Sequence, residues 1–85
     1  MSDAPVPAYP GRLAWRCRRG MKEIDLLLMG WLQARYAGAS PAEKATFEAF
    51  LELPDPEIAG YLLGRATPTD PAYAALVAQL SPDRA

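Results

Sequence analysis

Apolar residues recur at spacings of three and four along most of this chain, and no segment alternates with a period of two. That pattern predicts helices and no sheet. Leu13 to Arg18 reads as a short helix. Gly20 follows where a helix end wants a residue at positive φ, because it has no Cβ to clash. Met21 to about Tyr36 is the longest predicted helix, and its body from Ile24 to Leu32 is apolar on nearly every side. A helix with no polar face is expected to be surrounded by others, which puts it at the centre, with Gly38 as its stop. Ser40-Pro41-Ala42-Glu43 is a start signal: Ser40 caps, Pro41 fits the first position and Glu43 reaches back. The helix that follows has Phe47, Phe50 and Leu51 on one face and Lys44, Glu48 and Glu52 on another, and Pro54 ends it. Asp55-Pro56-Glu57 opens a fourth helix, with Ile58, Tyr61 and Leu62 as its stripe and Gly64 as its stop. Asp70-Pro71 opens a fifth, with Tyr73, Leu76, Val77 and Leu80 in helical register, closed by Ser81-Pro82. Five helices joined by short links predict an all-α fold, a compact five-helix bundle.

Length and composition narrow the class. Eighty-five residues make at most one domain. Pro5, Pro7 and Pro10 mark residues 1–11 as a flexible lead-in, 12–81 as the bundle domain and 82–85 as a short tail. The longest strongly apolar run, Leu26 to Leu32, is too short to span a bilayer. The start of the chain has neither the basic-then-apolar pattern of a signal peptide nor the arginine- and serine-rich look of a transit peptide. A bacterial, cytoplasmic protein is the simplest expectation. Cys17 is the sole cysteine and there is no histidine. Common zinc sites, histidine acid–base catalysis and Cys–His nucleophiles are excluded. There is no phosphate loop, and Glu23 and Asp25, two positions apart on a helix, face different ways and form no acid–base pair. The chain is not expected to be an enzyme or to hold a metal.

Charge is near balance, at −1, but unevenly placed. Residues 1–35 carry six basic and three acidic groups, and residues 36–85 carry three basic and seven acidic. The expected positive end is built from Arg12, Arg16, Arg18, Arg19 and Lys22. With a pI of 5.2 and no long basic stripe, nucleic acid is a poor partner for it. Two readings remain for the stretch from Trp15 to Asp25. One is a solvated helix end, with a capping glycine followed by helix-start carboxylates. The other is a protein-docking patch. Arginine and tryptophan are enriched at binding hot spots, and Trp15 lies among Arg16, Arg18 and Arg19. Gly20 lets a foreign backbone come close, Glu23 falls one turn later, and Arg19 can make forked hydrogen bonds. Trp31, Phe47, Phe50, Tyr61 and Tyr73 fall at core spacing, and Cys17 reads as a small, partly buried apolar residue.

The string Trp15-Arg16-Cys17-Arg18-Arg19-Gly20-Met21-Lys22-Glu23-Ile24-Asp25 closely resembles the signature of the SdhE family, the FAD assembly factors of succinate dehydrogenase. The family's R-G-x-x-E hallmark is matched by Arg19, Gly20 and Glu23, and the flanking Trp15, Cys17, Arg18, Met21 and Asp25 make the match specific. Leu26-Leu27-Leu28-Met29, the segment from Ser40 to Glu52 and Asp55-Pro56-Glu57-Ile58 continue it, so that it covers about residues 12 to 80. The resemblance implies a five-helix bundle that binds the flavoprotein subunit of succinate dehydrogenase, and in some bacteria that of fumarate reductase. It implies that covalent FAD attachment to a histidine of that subunit is promoted, with no flavin held stably by this chain. Carried over, Arg19, Gly20 and Glu23 are partner-binding, with Arg16, Arg18, Trp15 and Asp25 beside them. A monomer when free, with transient docking and no membrane insertion, is the matching expectation. Two rival readings are a free FAD carrier and an antitoxin-like regulator of a small membrane toxin, a label some relatives have carried.

Overall fold

The computed structural model describes residues 9–80, and it is all helix and turn. Five helices follow in order: α1 Gly11–Arg16, α2 Lys22–Arg35, α3 Pro41–Phe50, α4 Asp55–Leu62 and α5 Pro71–Leu80. The first begins two residues before the expected Leu13. Most of the expected lead-in, the tail and the Ser81-Pro82 stop lie outside the described residues.

Local signals set most helix ends. The Glu43 N–H donates to Ser40 Oγ at 3.1 Å, and the Ser40 N–H donates to Glu43 Oε1 at 2.8 Å, closing the capping box. At the start of α5 the Ala72 N–H donates to Asp70 Oδ1 at 2.8 Å. Gly64 has φ +79°, and the bonds from Arg65 N–H to the Gly60 carbonyl and from Gly64 N–H to the Tyr61 carbonyl form a Schellman motif. Two expectations change. Gly38, expected as the stop of α2, lies beyond it without a positive φ; α2 ends at Arg35 with Tyr36 as its C-cap, and the Tyr36 carbonyl accepts from the Ala39 N–H at 3.1 Å. Asp55 opens α4 without capping it: it is the first helical residue, Pro54 stands at the N-cap, and the Asp55 carboxylate accepts from Arg19.

α5 packs against α2, α3 and α4, and α1 packs against α2. Leu13, Leu28, Leu32, Phe47, Phe50 and Ile58 have no exposed surface, so all of α1 to α4 feed one core. Trp31 stacks on Phe47 with ring centres 4.3 Å apart, and Phe50 meets Tyr73 edge-on at 5.7 Å. Such ring pairs lock α3 against α2 and α5. Tyr61 and Tyr73, expected in the core, are packed against it and only partly buried.

The central placement expected for α2 holds on one side only. Ile24, Leu28, Trp31 and Leu32 are buried, but Leu26 on the opposite side is 66% exposed. α1 and α5 cover the buried flank, and five short helices supply nothing to cover the other. No helix among the described residues is long and apolar enough to cross a membrane.

Candidate functional site

The link between α1 and α2 is where the sequence concentrates its chemistry. Cys17 closes α1 through its N–H to the Leu13 carbonyl at 3.1 Å, and its side chain is fully buried. Burial pushes the Cys17 thiol up to about 11; the Arg19 guanidinium pulls it down and the Asp25 carboxylate pushes it further up. The link then reaches Gly20, at φ +82°. That value is the reason for a glycine: other residues adopt it only under strain. The expected positive φ is present, four residues beyond Arg16, where α1 ends, rather than directly after the helix.

Asp25 holds the link in shape. One carboxylate oxygen accepts from the Arg19 N–H at 2.8 Å and the other from the Gly20 N–H at 3.2 Å. Met21, the residue before α2, offers no side-chain cap. The carboxylate in the first turn of α2 instead reaches back over it, gathering two backbone donors while facing the positive end of the helix dipole.

The Arg19 side chain turns inward and is only 17% exposed. One guanidinium nitrogen donates to Asp55 Oδ1 at 2.9 Å, and the other donates to the Leu51 carbonyl. Arg12 pairs with Glu48 at 3.1 Å, and Arg16 pairs with Glu52. In all three ion pairs the partners stand 36 residues apart. Register of that kind means that α1 and its link run alongside α3 in the same direction. It also alters the charge reading. Three of the five groups assigned to a positive end are neutralised by the acidic face of α3 and the start of α4. Among the described residues, Arg18 and Lys22 carry no ion pair.

What faces outward is a different subset. Trp15 is 75% exposed, and the Arg18 guanidinium lies 5.8 Å from its ring centre, within cation–π range. Gly20 is exposed, and a Cβ built on it would meet nothing within 4 Å. Glu23 is exposed in the first turn of α2. Two shallow hollows meet at Arg18. One is lined by Arg18, Gly20, Lys22, Asp25, Leu26 and Met29, the other by Trp15, Arg16, Arg18, Arg19, Leu51 and Glu52. The structure thus brings all seven sequence-derived residues to one end of the α1–α2 pair. Arg16, Arg19 and Asp25 have internal partners there; Trp15, Arg18, Gly20 and Glu23 are open.

Sequence reasoning missed Leu26 as a surface residue and Met29 as a partly buried one beside it, because a continuous apolar run gives no sign of which side stays bare. It also missed Glu48, Glu52, Asp55 and the Leu51 carbonyl, which are distant in the chain. Glu48 and Glu52 were visible as a polar face, but their arginine partners were not.

A cofactor finds little space elsewhere. The hollow between α3 and α5, lined by small residues such as Ala42, Ala72 and Ala75 beside Trp31 and Gln79, encloses about 190 Å³. Ordinary small-molecule sites run from roughly 300 Å³ upward. Among the described residues, no group of three or more acidic, cysteine or histidine side chains is placed to hold a metal ion.

Residues 11–83 match the family model described as flavinator of succinate dehydrogenase. The chain is 46% identical over 70 residues to the FAD assembly factor SdhE of Methylococcus capsulatus, covering 82% of this chain and 84% of that one. It is 41% identical over 71 residues to the SdhE of Xylella fastidiosa, covering 84% and 73% of the two chains. It is 31% identical over 74 residues to that of Coxiella burnetii, covering 87% and 90%. On a family match that takes in all five helices, and on identities of this extent, the chain belongs to the SdhE family of FAD assembly factors.

Proposed function

We propose that this chain is a cytoplasmic assembly factor that docks on the flavoprotein subunit of succinate dehydrogenase, or of fumarate reductase, and promotes covalent attachment of FAD to a histidine of that subunit. The observation that carries the reading is the open face around Gly20. A glycine with empty space above it admits a partner's backbone to a distance any side chain would forbid. Glu23 stands one turn along to make a polar contact, and the Trp15–Arg18 pair and Leu26 supply exposed anchors on either side. Arg16, Arg19 and Asp25 belong to the same surface: Arg16 is exposed and paired with Glu52, and Arg19 and Asp25 support it from beneath.

The mechanism is positioning. The bundle holds the immature subunit in an arrangement that favours flavin attachment, and the flavin and the partner's histidine do the chemistry. This chain has no histidine of its own to be flavinylated. Against a free FAD carrier stand the small α3–α5 hollow and the shallowness of the two larger hollows at Arg18, of about 510 and 360 Å³, which lie open on the surface and enclose no ligand-sized cavity. Docking is transient, since the factor leaves the finished subunit. It involves neither nucleic acid nor membrane insertion, and the free factor is a monomer.

In-gel flavin fluorescence of the denatured flavoprotein subunit tests this, in source cells with and without the chain. The covalent flavin signal should fall without it and return with wild-type protein but not with Gly20→Arg. An undiminished signal in its absence would refute the assembly role.

A further inference from the structure

The motif arginine is clamped at both ends. Its backbone N–H is held by Asp25 of α2, and its guanidinium by Asp55 at the first position of α4 and the carbonyl of Leu51, which caps α3. We infer that Asp55, with the Leu51 carbonyl, is a positioning group for the docking surface, acting through Arg19 from the α3–α4 junction. The inference rests on the docking reading given above.

The junction is suited to a guanidinium and to little else. A helix C-terminus leaves carbonyls without intrahelical partners, and it carries the negative end of the dipole. Asp55 sets a carboxylate four residues beyond that carbonyl. A planar fork can address both acceptors at once, whereas a lysine ammonium is a single compact charge. With Arg19 seated, its neighbour Gly20 is fixed with its empty side outward, and the Asp25 bonds to both amides complete the frame. Take Asp55 away and a mostly buried guanidinium loses its counter-charge. The Arg19 Nε is already buried without a hydrogen-bond partner, so the seat has no spare acceptor to offer. The link then relaxes, and Gly20 and Glu23 lose their common register.

This reading and a direct-contact role for Arg19 predict opposite behaviour at Asp55. Were Arg19 a contact held back by its internal partner, removing the carboxylate would free it, and affinity would hold or rise. As a positioning group, Asp55 is needed and affinity falls. The test is titration of the purified flavoprotein subunit with the full chain carrying Asp55→Asn, Asp55→Glu, Arg19→Lys, or Asp55→Asn with Arg19→Lys. We expect Asp55→Asn and Arg19→Lys each to weaken docking about tenfold, and the double variant to be little worse than either, as for residues acting as one unit. Asp55→Glu, which keeps a carboxylate, should recover part of the loss. The amide resonances of Arg19 and Gly20 should move in Asp55→Asn while those of Gly64 stay in place. Glu57→Gln, which removes another first-turn carboxylate of α4, should dock normally. Wild-type or tighter docking by Asp55→Asn would overturn the inference, whatever Arg19→Lys does. If Asp55→Asn fails to fold, Arg19→Lys and the Asp55→Glu recovery decide. Gly20→Arg separates the two levels: if it too docks at wild-type affinity, the docking reading itself has failed.

Discussion

Substitution at Gly20 separates fold from function, because the structure gives the two effects different causes. The backbone there sits at φ +82°, and a Cβ would meet nothing within 4 Å. The folded-state cost of any non-glycine residue is therefore conformational. A left-handed conformation costs an ordinary residue about 1–2 kcal/mol. The same substitution stiffens the unfolded chain and returns roughly 0.4–1 kcal/mol. The net loss should be about 1 kcal/mol, or roughly 4–8 °C in melting temperature for a domain of this size. It should be nearly the same for Gly20→Ala and Gly20→Arg, since the longer side chain enters open space. Gly20→Asn should lose less, because asparagine tolerates this conformation. Docking should behave otherwise: alanine adds one methyl and weakens it, whereas arginine fills the approach and abolishes it. Thermal unfolding by circular dichroism and titration of the flavoprotein subunit read the two effects separately. If Gly20→Arg melts far below Gly20→Ala, the space around the residue is not open and its docking defect is a folding defect. If Gly20→Ala costs nothing, the positive φ is wrong.

Two further substitutions probe the core. The folded pKa of Cys17 is raised above the ordinary 9.0 to about 11, so the folded chain keeps its proton longer than the unfolded one. The associated stability is whole below about pH 9 and should drain as pH rises toward 11, at up to about 1.4 kcal/mol per pH unit; urea midpoints across that range should fall more steeply for wild type than for Cys17→Ala. Trp31→Phe keeps a ring against Phe47 but removes the 2.7 Å bond from Trp31 Nε1 to Gln79 Oε1. It should cost about 1–2 kcal/mol in urea denaturation, and adding Gln79→Leu should return part of it by removing the stranded acceptor.

Local chemistry was legible and distant chemistry was not. Ser40 and Glu43, Asp70 and Gly64 are written within a few residues of the helix ends they control, and each does there what its side chain or backbone dictates. Gly38 shows the limit of that logic: a glycine after a helix is only a candidate stop, and here the turn closes through Tyr36 without a positive φ. The exposed flank of α2 was hidden for a different reason. An unbroken apolar run says that burial is favourable on every side, while the number of neighbours available to bury it is a property of the whole chain. The Trp15–Asp25 cluster was visible as a cluster. Its division into inward and outward groups depends on helix α3 and the α3–α4 junction, more than 30 residues away in sequence.

That division explains how so small a domain keeps a shaped surface. Exposed ion pairs such as Arg12–Glu48 and Arg16–Glu52 contribute little stability each, ~1 kcal/mol at most. Their value here is register. Three arginines in sequence meet three carboxylates in the same sequence, and a slip of α1 along α3 by one turn would leave one arginine and one carboxylate unpaired and unseat Arg19 from Asp55. The core alone does not fix that slip as firmly, since α1 and the adjoining residue bury only Leu13 and Cys17 in it, with Ala14 partly buried against it. The charges that look like a basic patch therefore set the place of a short helix and of the link after it. Arg18 and the start of α2, which has no side-chain cap, are left facing outward. A motif that mixes residues doing these two jobs should respond to mutation in two ways: outward positions by losing affinity at unchanged loop geometry, and inward positions by losing affinity because the geometry has moved. Amide spectra recorded beside each binding measurement would assign every residue of the motif to one class or the other.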